Sequence, residues 1–279
     1  MYSLQNVEVE GLNKKAQIIR EHIITMIHKA GMGHPGGSLS SVEIITALYF
    51  HIMKIDPSNP TWPERDRFVL SKGHACPALY AALAEKGFFP VDDLVTLRKS
   101  GSHLQGHPDM RKTPGIDIST GSLGNGFACA LGMAIAGKAS KKNYTVYALL
   151  GDGELQEGIV WEAAMAASHH NLNNLVVIID YNGLQITGWV NCVNRIEPLV
   201  KKWEAFGWQA LEIEGNDMAS ILSGFQKAKK MSKPVVIIAH TTKGKGVSFM
   251  ENIADWHGKA PNEEQMVKAL EEIRKGCGA

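Results

Sequence analysis

The chain has 279 residues, 44% hydrophobic and 20% charged, which suits one large α/β domain or one domain with a tail and excludes a disordered chain. Its 29 basic and 28 acidic residues leave a net charge of +1, with no electrostatic footprint for nucleic acid or an anionic membrane. Four widely spaced cysteines (Cys76, Cys129, Cys192, Cys277), a polar amino terminus and a longest apolar run of about 127–137 make a soluble cytoplasmic protein the expectation, with no signal peptide, disulfide framework or membrane span.

The first predicted helix covers 11–30, with Leu12, Ile19, Ile23 and Ile27 on one stripe and Gly31 as the stop. A second runs from Ser40 to about Met53, and Pro57, Pro60 and Pro63 break the chain after it. Phe68–Leu70 reads as a short buried strand, followed by helices near 77–86 and 91–99. A Gly/His/Pro-rich segment then extends from Gly101 to Gly126. From there the elements alternate: helix 125–139, strand 145–150, helix 154–170, strand 175–180, helix 198–206, strand 209–213, helix 218–231 and strand 234–240. Short apolar strands between helices predict an α/β fold, a mostly parallel sheet with helices on both faces, whose ligands bind at the carboxyl ends of the strands. The segment after Pro261 reads as an exposed helix, dividing the chain into a main domain over 1–260 and a C-terminal helix and tail over 261–279.

Of the 11 histidines, His34, His74, His107 and His257 directly adjoin glycine. Glycine lets a backbone approach a ligand closely, so the company points to a site built on loops, although any one of these residues also reads as a polar loop histidine. Gly151-Asp152-Gly153 lies between a predicted strand and helix, where helix-start amides favour an anion. Asp152 beside a phosphate makes sense if a divalent cation bridges the two, and the next strand end supplies a second oxygen donor, Asn182. Twenty-eight residues lie between Gly153 and Asn182, room for one helix and one returning strand, so the two side chains can meet above adjacent strands. An Asp helix cap and an Asn-Gly turn are the alternative reading of these residues.

The stretch from Gly151-Asp152-Gly153 to Asn182 resembles the diphosphate-binding signature of thiamine diphosphate enzymes. The surrounding blocks resemble transketolase: 33–37 (GHPGG), 71–74 (SKGH), 106–108 (GHP), 120–124 (TGSLG), 151–158 (GDGELQEG), 242–246 (TKGKG) and 257–258 (HG). They run in family order nearly end to end; Ser122 stands where many relatives have Pro, and Asn125 where many have Gln. The resemblance implies a thiamine diphosphate-binding fold with Asp152, Asn182 and the Leu184 carbonyl holding Mg²⁺, or Ca²⁺ or Mn²⁺ in its place. It implies that Gly153 binds diphosphate, that His74 and His257 contact the cofactor, and that Gly121, Ser122 and Leu123 lie along it. His34, His107 and His257 would surround the attacked carbon, His34 and His257 stabilising charge on the substrate oxygen and His107 gripping a sugar hydroxyl. Glu157 and Glu162 match acidic residues at the family's subunit interface that couple paired active sites, with a solvated helix face as the alternative reading of both. Trp256 would narrow the substrate entrance.

Full-length transketolases carry two further domains, one of which binds the aminopyrimidine and provides an activating glutamate; none of the 28 acidic residues here sits in a matching motif. The chain therefore looks like the N-terminal subunit of a split transketolase, a cytoplasmic transferase that moves a two-carbon ketol unit between sugar phosphates. The resemblance implies a separate C-terminal subunit with the pyrimidine-binding domain, in an α2β2 assembly. The alternatives are a subunit of a related thiamine diphosphate enzyme for an unusual sugar, or a non-catalytic cofactor-binding subunit.

Overall fold

Each central strand is a near-continuous run of Val, Ile, Leu and Ala, the composition of strands covered on both faces. In the computed structural model, which describes residues 4–276, these runs form a parallel sheet. The elements in chain order are α1 (Leu4–Ala30), α2 (Pro35–Leu39), α3 (Val42–Ala47), β1 (Arg67–Leu70), α4 (Cys76–Lys86), α5 (Asn125–Ala139), β2 (Val146–Gly151), α6 (Gly158–His169) and β3 (Leu175–Tyr181). A small hairpin follows, β4 (Leu184–Gln185) and β5 (Gly188–Trp189), then α7 (Val190–Val193), α8 (Leu199–Ala205), β6 (Gln209–Glu214), α9 (Met218–Ala228), β7 (Val235–His240) and α10 (Glu263–Lys275). The main sheet has the order β1-β2-β3-β7-β6, all neighbours parallel.

Alternate strand residues enter two apolar layers. Leu149, Ile178 and Ile237 join the layer of α1, α3, α4, α9 and α10, whereas Ala148, Leu150, Val177, Ile179 and Val236 join that of α5, α6 and α8. The chain leaves β3 through the second layer and leaves β7 toward the first. That divergence opens a crevice above the carboxyl ends of β3 and β7, where sheets of this kind bind ligands.

Several boundaries differ from the sequence reading. α1 starts at Leu4, not 11. The helix expected from Ser40 is α3 continued by a π-helical turn, Leu48–Ile52, and it is preceded by α2, whose Pro35 takes the first-turn position that needs no amide donor. The segment expected as a helix over 91–99 is a 3₁₀ turn, Val91–Thr96. The helix expected from 154 is broken: Gly153–Gln156 is a 3₁₀ turn, Glu157 is extended, and α6 begins at Gly158. α9 ends at Ala228, short of the expected 231. The β4–β5 hairpin and α7 were not foreseen.

The terminal helix is amphipathic rather than simply exposed. Ala269 and Ile273 of α10 are buried in the layer that α1 lines, Asn262 and Gln265 close a capping box, and Arg274 pairs with Glu21 of α1 at 2.7 Å. Residues 277–279 of the expected tail, Cys277 among them, lie outside the described residues. Cys76, Cys129 and Cys192 are free thiols, and among the described residues no helix is long and apolar enough to cross a membrane.

Candidate active site

A cleft of about 480 Å³ opens above the carboxyl ends of β1, β2, β3 and β7. Of the residues singled out in the sequence, His34, His74, Gly121, Leu123, Asp152, Gly153, Glu157, Asn182, Leu184 and His257 line it. Ser122, His107 and Glu162 do not. His107 is exposed on a neighbouring groove with Asp109, Arg111 and Ser119, although its ring lies 3.4 Å from where a Cβ on Gly121 would sit. Glu162 is exposed on α6 outside the cleft, and Glu157 is exposed on its rim.

Two close approaches fix the loops beside the cleft. Gly73 follows β1 with its Cα against the 120–121 backbone, where a Cβ would meet Thr120 Oγ1 at 2.6 Å. Gly124 has φ +81°, a conformation that suits glycine, and a Cβ there would strike Ile159 at 2.5 Å. The buried carboxylate of Glu154 fixes this loop, accepting from the amides of Gly124 (2.7 Å) and Gly151 (3.0 Å) and from the Ser71 hydroxyl. Burial raises the Glu154 pKa against those bonds.

The tips of β2 and β3 are joined through Asp152. Gly151 pairs with Asp180 in register, so the residue after each strand stands on the same ledge. The Gly183 amide donates to Asp152 Oδ2 at 2.5 Å and the Gly153 amide to Oδ1 at 2.7 Å. The amide that the resemblance assigns to diphosphate is thus already turned to Asp152. Asn182 Oδ1 accepts from the Leu184 amide at 3.1 Å. Burial, with the charge of Asp180 adding to it, raises the Asp152 pKa to about 6. The donors brought together are a carboxylate, an amide oxygen and a carbonyl, all hard oxygens of the kind Mg²⁺ and Ca²⁺ take. Among the described residues no group of three or more His, Cys, Asp or Glu side chains could hold a metal, so a cation here would draw on that carbonyl and amide and on a ligand's own oxygens.

Two lysines that the sequence reading passed over are buried in the cleft. The Lys243 ammonium donates to the Leu184 carbonyl at 3.0 Å and lies 3.1 Å from His257 Nδ1; burial lowers its pKa to about 8, against the pull of Asp152. Lys72 pairs with Asp180 and donates to the Gly37 carbonyl at 2.8 Å. Asp180 is fully buried; burial pushes its pKa up, but Lys72 outweighs this and holds the carboxyl below its ordinary value. The signal was present: TKGKG and SKGH each carry a lysine beside the glycines.

Three of the glycine-adjoining histidines converge. The ring centroids of His34 and His74 are 5.2 Å apart, His34 and His257 5.5 Å, and His74 and His257 5.1 Å. Burial lowers the His34 pKa to about 4 and that of His257 to about 3, with neighbouring cations adding to the effect, and lowers His74 for the same reasons. All three are therefore neutral near pH 7. Because an ammonium only donates, the Lys243 contact makes His257 Nδ1 an acceptor and leaves the proton on Nε2. His34 Nδ1 is buried with no hydrogen-bond partner. Trp256 is buried against Phe249 at 5.6 Å and does not line the cleft, so it supports the His257 turn from beneath instead of narrowing an entrance.

The family described as transketolase, thiamine diphosphate binding domain, matches residues 12–276. The chain is 49% identical over 265 residues to a 6-deoxy-6-sulfo-D-fructose transketolase subunit from a Clostridium species, covering 95% of this chain and 96% of that protein. It is 44% identical to an apulose-4-phosphate transketolase subunit of Actinobacillus succinogenes, covering 96% and 98%. The transketolase structure from Campylobacter jejuni superposes with a TM-score of 0.91 at 37% identity, over 96% of this chain and 43% of that one. The chain thus spans nearly the whole of the subunit-type relatives and less than half of that transketolase.

Proposed function

The chain belongs to the transketolase family through its thiamine diphosphate binding domain, and from that premise we propose that it is the cofactor-binding subunit of a two-chain transketolase. The reaction is transfer of a two-carbon ketol unit from a ketose phosphate to an aldose phosphate. The observation that carries this reading is one cleft holding both an all-oxygen donor set (Asp152, Asn182, Leu184) and a triangle of neutral imidazoles (His34, His74, His257).

When bound, thiamine diphosphate supplies the ring that stores the electron pair released as a C–C bond beside a ketose carbonyl breaks. Asp152, Asn182 and the Leu184 carbonyl hold Mg²⁺, while Ca²⁺ and Mn²⁺ suit the same oxygens. The Lys243 ammonium, already on the Leu184 carbonyl, would face the diphosphate charge; the Gly153 amide, which donates to Asp152, would have to turn from that carboxylate to join it, and Gly121 and Leu123 form the adjoining wall, with Ser122 between them outside the lining. The neutral imidazole of His257 donates its Nε2 proton as a hydrogen bond to a developing oxyanion, with His34 beside it. His74 contacts the cofactor from the third corner, and His107, outside the triangle, grips a sugar hydroxyl. A separate C-terminal subunit brings the pyrimidine-binding domain and its glutamate, with Glu157 and Glu162 at an interface of a cytoplasmic α2β2 assembly. The word "subunit" in the names of the near-full-length relatives supports a two-chain enzyme.

A second reading concerns the sugar: those same relatives are named for a sulfonated fructose and for apulose 4-phosphate, which favours an uncommon ketose as donor. The test is calorimetric titration of thiamine diphosphate into the chain with Mg²⁺ and with chelator, followed by a donor panel in the presence of the partner subunit. Metal-dependent uptake and ketol transfer are expected. Uptake that chelator leaves unchanged would contradict the metal assignment, and failure of every ketose would contradict the reaction.

A further inference from the structure

Two deeply buried charges at the cleft belong to neither the donor set nor the histidine triangle. Lys72 is 2% exposed and Asp180 is fully buried, and they form an ion pair beneath the floor. Asp180 Oδ2 also accepts from the Ser40 hydroxyl at 2.6 Å and from the side-chain amide of Asn182 at 3.1 Å, while Oδ1 accepts from the Thr241 hydroxyl. The carboxylate thus draws together the segments after α2, β3 and β7, and through Lys72 the segment after β1. Isolated ion pairs of this depth are poor stabilisers, because desolvation offsets their attraction. Such a pair calls for a purpose besides stability.

The Asn182 amide has two unlike ends. An ionised carboxylate can only accept, so the end facing Asp180 must be the NH₂ group. The Leu184 amide can only donate, so the end facing it must be the oxygen, and the two constraints agree. Without Asp180 only the Leu184 amide would oppose a turn of the planar amide that places two N–H donors where a cation needs an oxygen. We infer that the buried Lys72–Asp180 pair is a positioning device, which locks the Asn182 side chain with its oxygen toward the Asp152–Leu184 donor set. Lys72 donates to the same Asp180 oxygen that accepts from the Asn182 amide, so the pair holds that acceptor in place and Asp180 fixes the amide. The inference rests on the metal assignment made above, and it assigns Lys72 and Asp180 a role through Asn182 and not by contact with the cation.

The test uses the full chain and Mg²⁺ with thiamine diphosphate as probe. Removing one charge alone would strand the other, so Lys72→Met and Asp180→Asn are made together. The double variant is expected to melt within a few degrees of wild type. Its half-saturating Mg²⁺ concentration for cofactor uptake should rise on the order of 10- to 100-fold, the range for lost outer partners of metal ligands. Adding Asn182→Asp should recover most of that loss, because a carboxylate offers oxygen from either arm, a rescue that a purely structural role would not give. An unchanged Mg²⁺ requirement in the double variant, or no recovery in the triple, overturns the inference. A wild-type chain with no Mg²⁺-dependent uptake overturns the metal assignment itself and this inference with it. Should the double variant not fold, wild-type NMR decides. The Asn182 side-chain NH₂ protons, assigned by their loss in Asn182→Asp, should exchange slowly with solvent, and exchange at the free-amide rate overturns the inference.

Discussion

The two ends of the same strands do opposite things. At the amino ends of β2, β3 and β7, Val146, Leu175 and Val235 are buried hydrocarbon that needs only to be covered. One strand length away, at the carboxyl ends, stand the buried groups Asp152, Asp180 and Lys243 and the half-buried Asn182 amide, polar groups whose burial is costly unless each is paired. Along β3 the change is abrupt: Leu175 through Ile179 are apolar and Asp180 is an ion pair. The contrast sets two helix layers that bury hydrocarbon against an upper ledge that gathers charged and polar groups around the cleft.

The sharpest way to break this contrast is Asp152→Ala. It should abolish Mg²⁺-dependent uptake of thiamine diphosphate in calorimetry, while leaving a folded chain with two unpaired amides, Gly153 and Gly183. Normal affinity in that variant would place the cation elsewhere. The mirror experiment is Ile178→Ala at the centre of the sheet, which should cost about 2–5 kcal/mol in denaturant unfolding. Cofactor affinity should be unchanged wherever the chain is folded.

His257→Ala should lower kcat of the enzyme with its partner subunit on the order of 10²- to 10³-fold, the cost of one oxyanion donor, with little change in melting. A large fall in melting with activity retained would make the ring structural. A smaller effect is expected of Lys243→Met. Losing one charge-assisted contact to diphosphate should weaken cofactor binding about tenfold, while the ligand-free chain melts no lower, because a buried ammonium is costly to desolvate. Reduced stability with unchanged affinity would contradict that assignment.

The least of these effects is in the pH dependence of the ligand-free chain. His34, His74 and His257 have folded pKa values below their ordinary 6.5, so unfolding takes up protons in acid. Their contribution to stability is complete above about pH 6.5 and lost as pH falls toward about 4. Melting should therefore drop across that window, less in a His34→Gln/His257→Gln variant, and a melting temperature flat over it would show that burial does not hold these rings neutral.

Strands and helix layers were legible in the sequence because both depend on local periodicity, as the β3 run and the α1 stripe of Leu12, Ile19, Ile23 and Ile27 show. The GDG-to-Asn spacing placed Asp152 and Asn182 on one ledge for the same reason, since one helix and one strand fix the distance. The glycine company of His34, His74, His107 and His257 pointed to one loop-built site, but the triangle of His34, His74 and His257 with His107 outside it needed the fold, because His74 and His257 lie 183 positions apart and nothing local ties them. Lys72 and Asp180 went unread because each looks ordinary alone: a lysine between serine and glycine, an acid ending a strand. Only their meeting beneath the floor, across 108 residues, gives them meaning. The break at Glu157 was hidden by a helix-favouring composition, which tertiary contacts of the cleft floor override.

The central claim is that this chain supplies the metal, diphosphate and histidine half of a cofactor site completed by another polypeptide. Its most direct test is ketol transfer from xylulose 5-phosphate to ribose 5-phosphate, and from the uncommon ketoses in parallel, by the purified chain alone and after mixing with its partner subunit. The account predicts no transfer alone and transfer on mixing. Robust transfer by the chain as a pure homo-oligomer would contradict it.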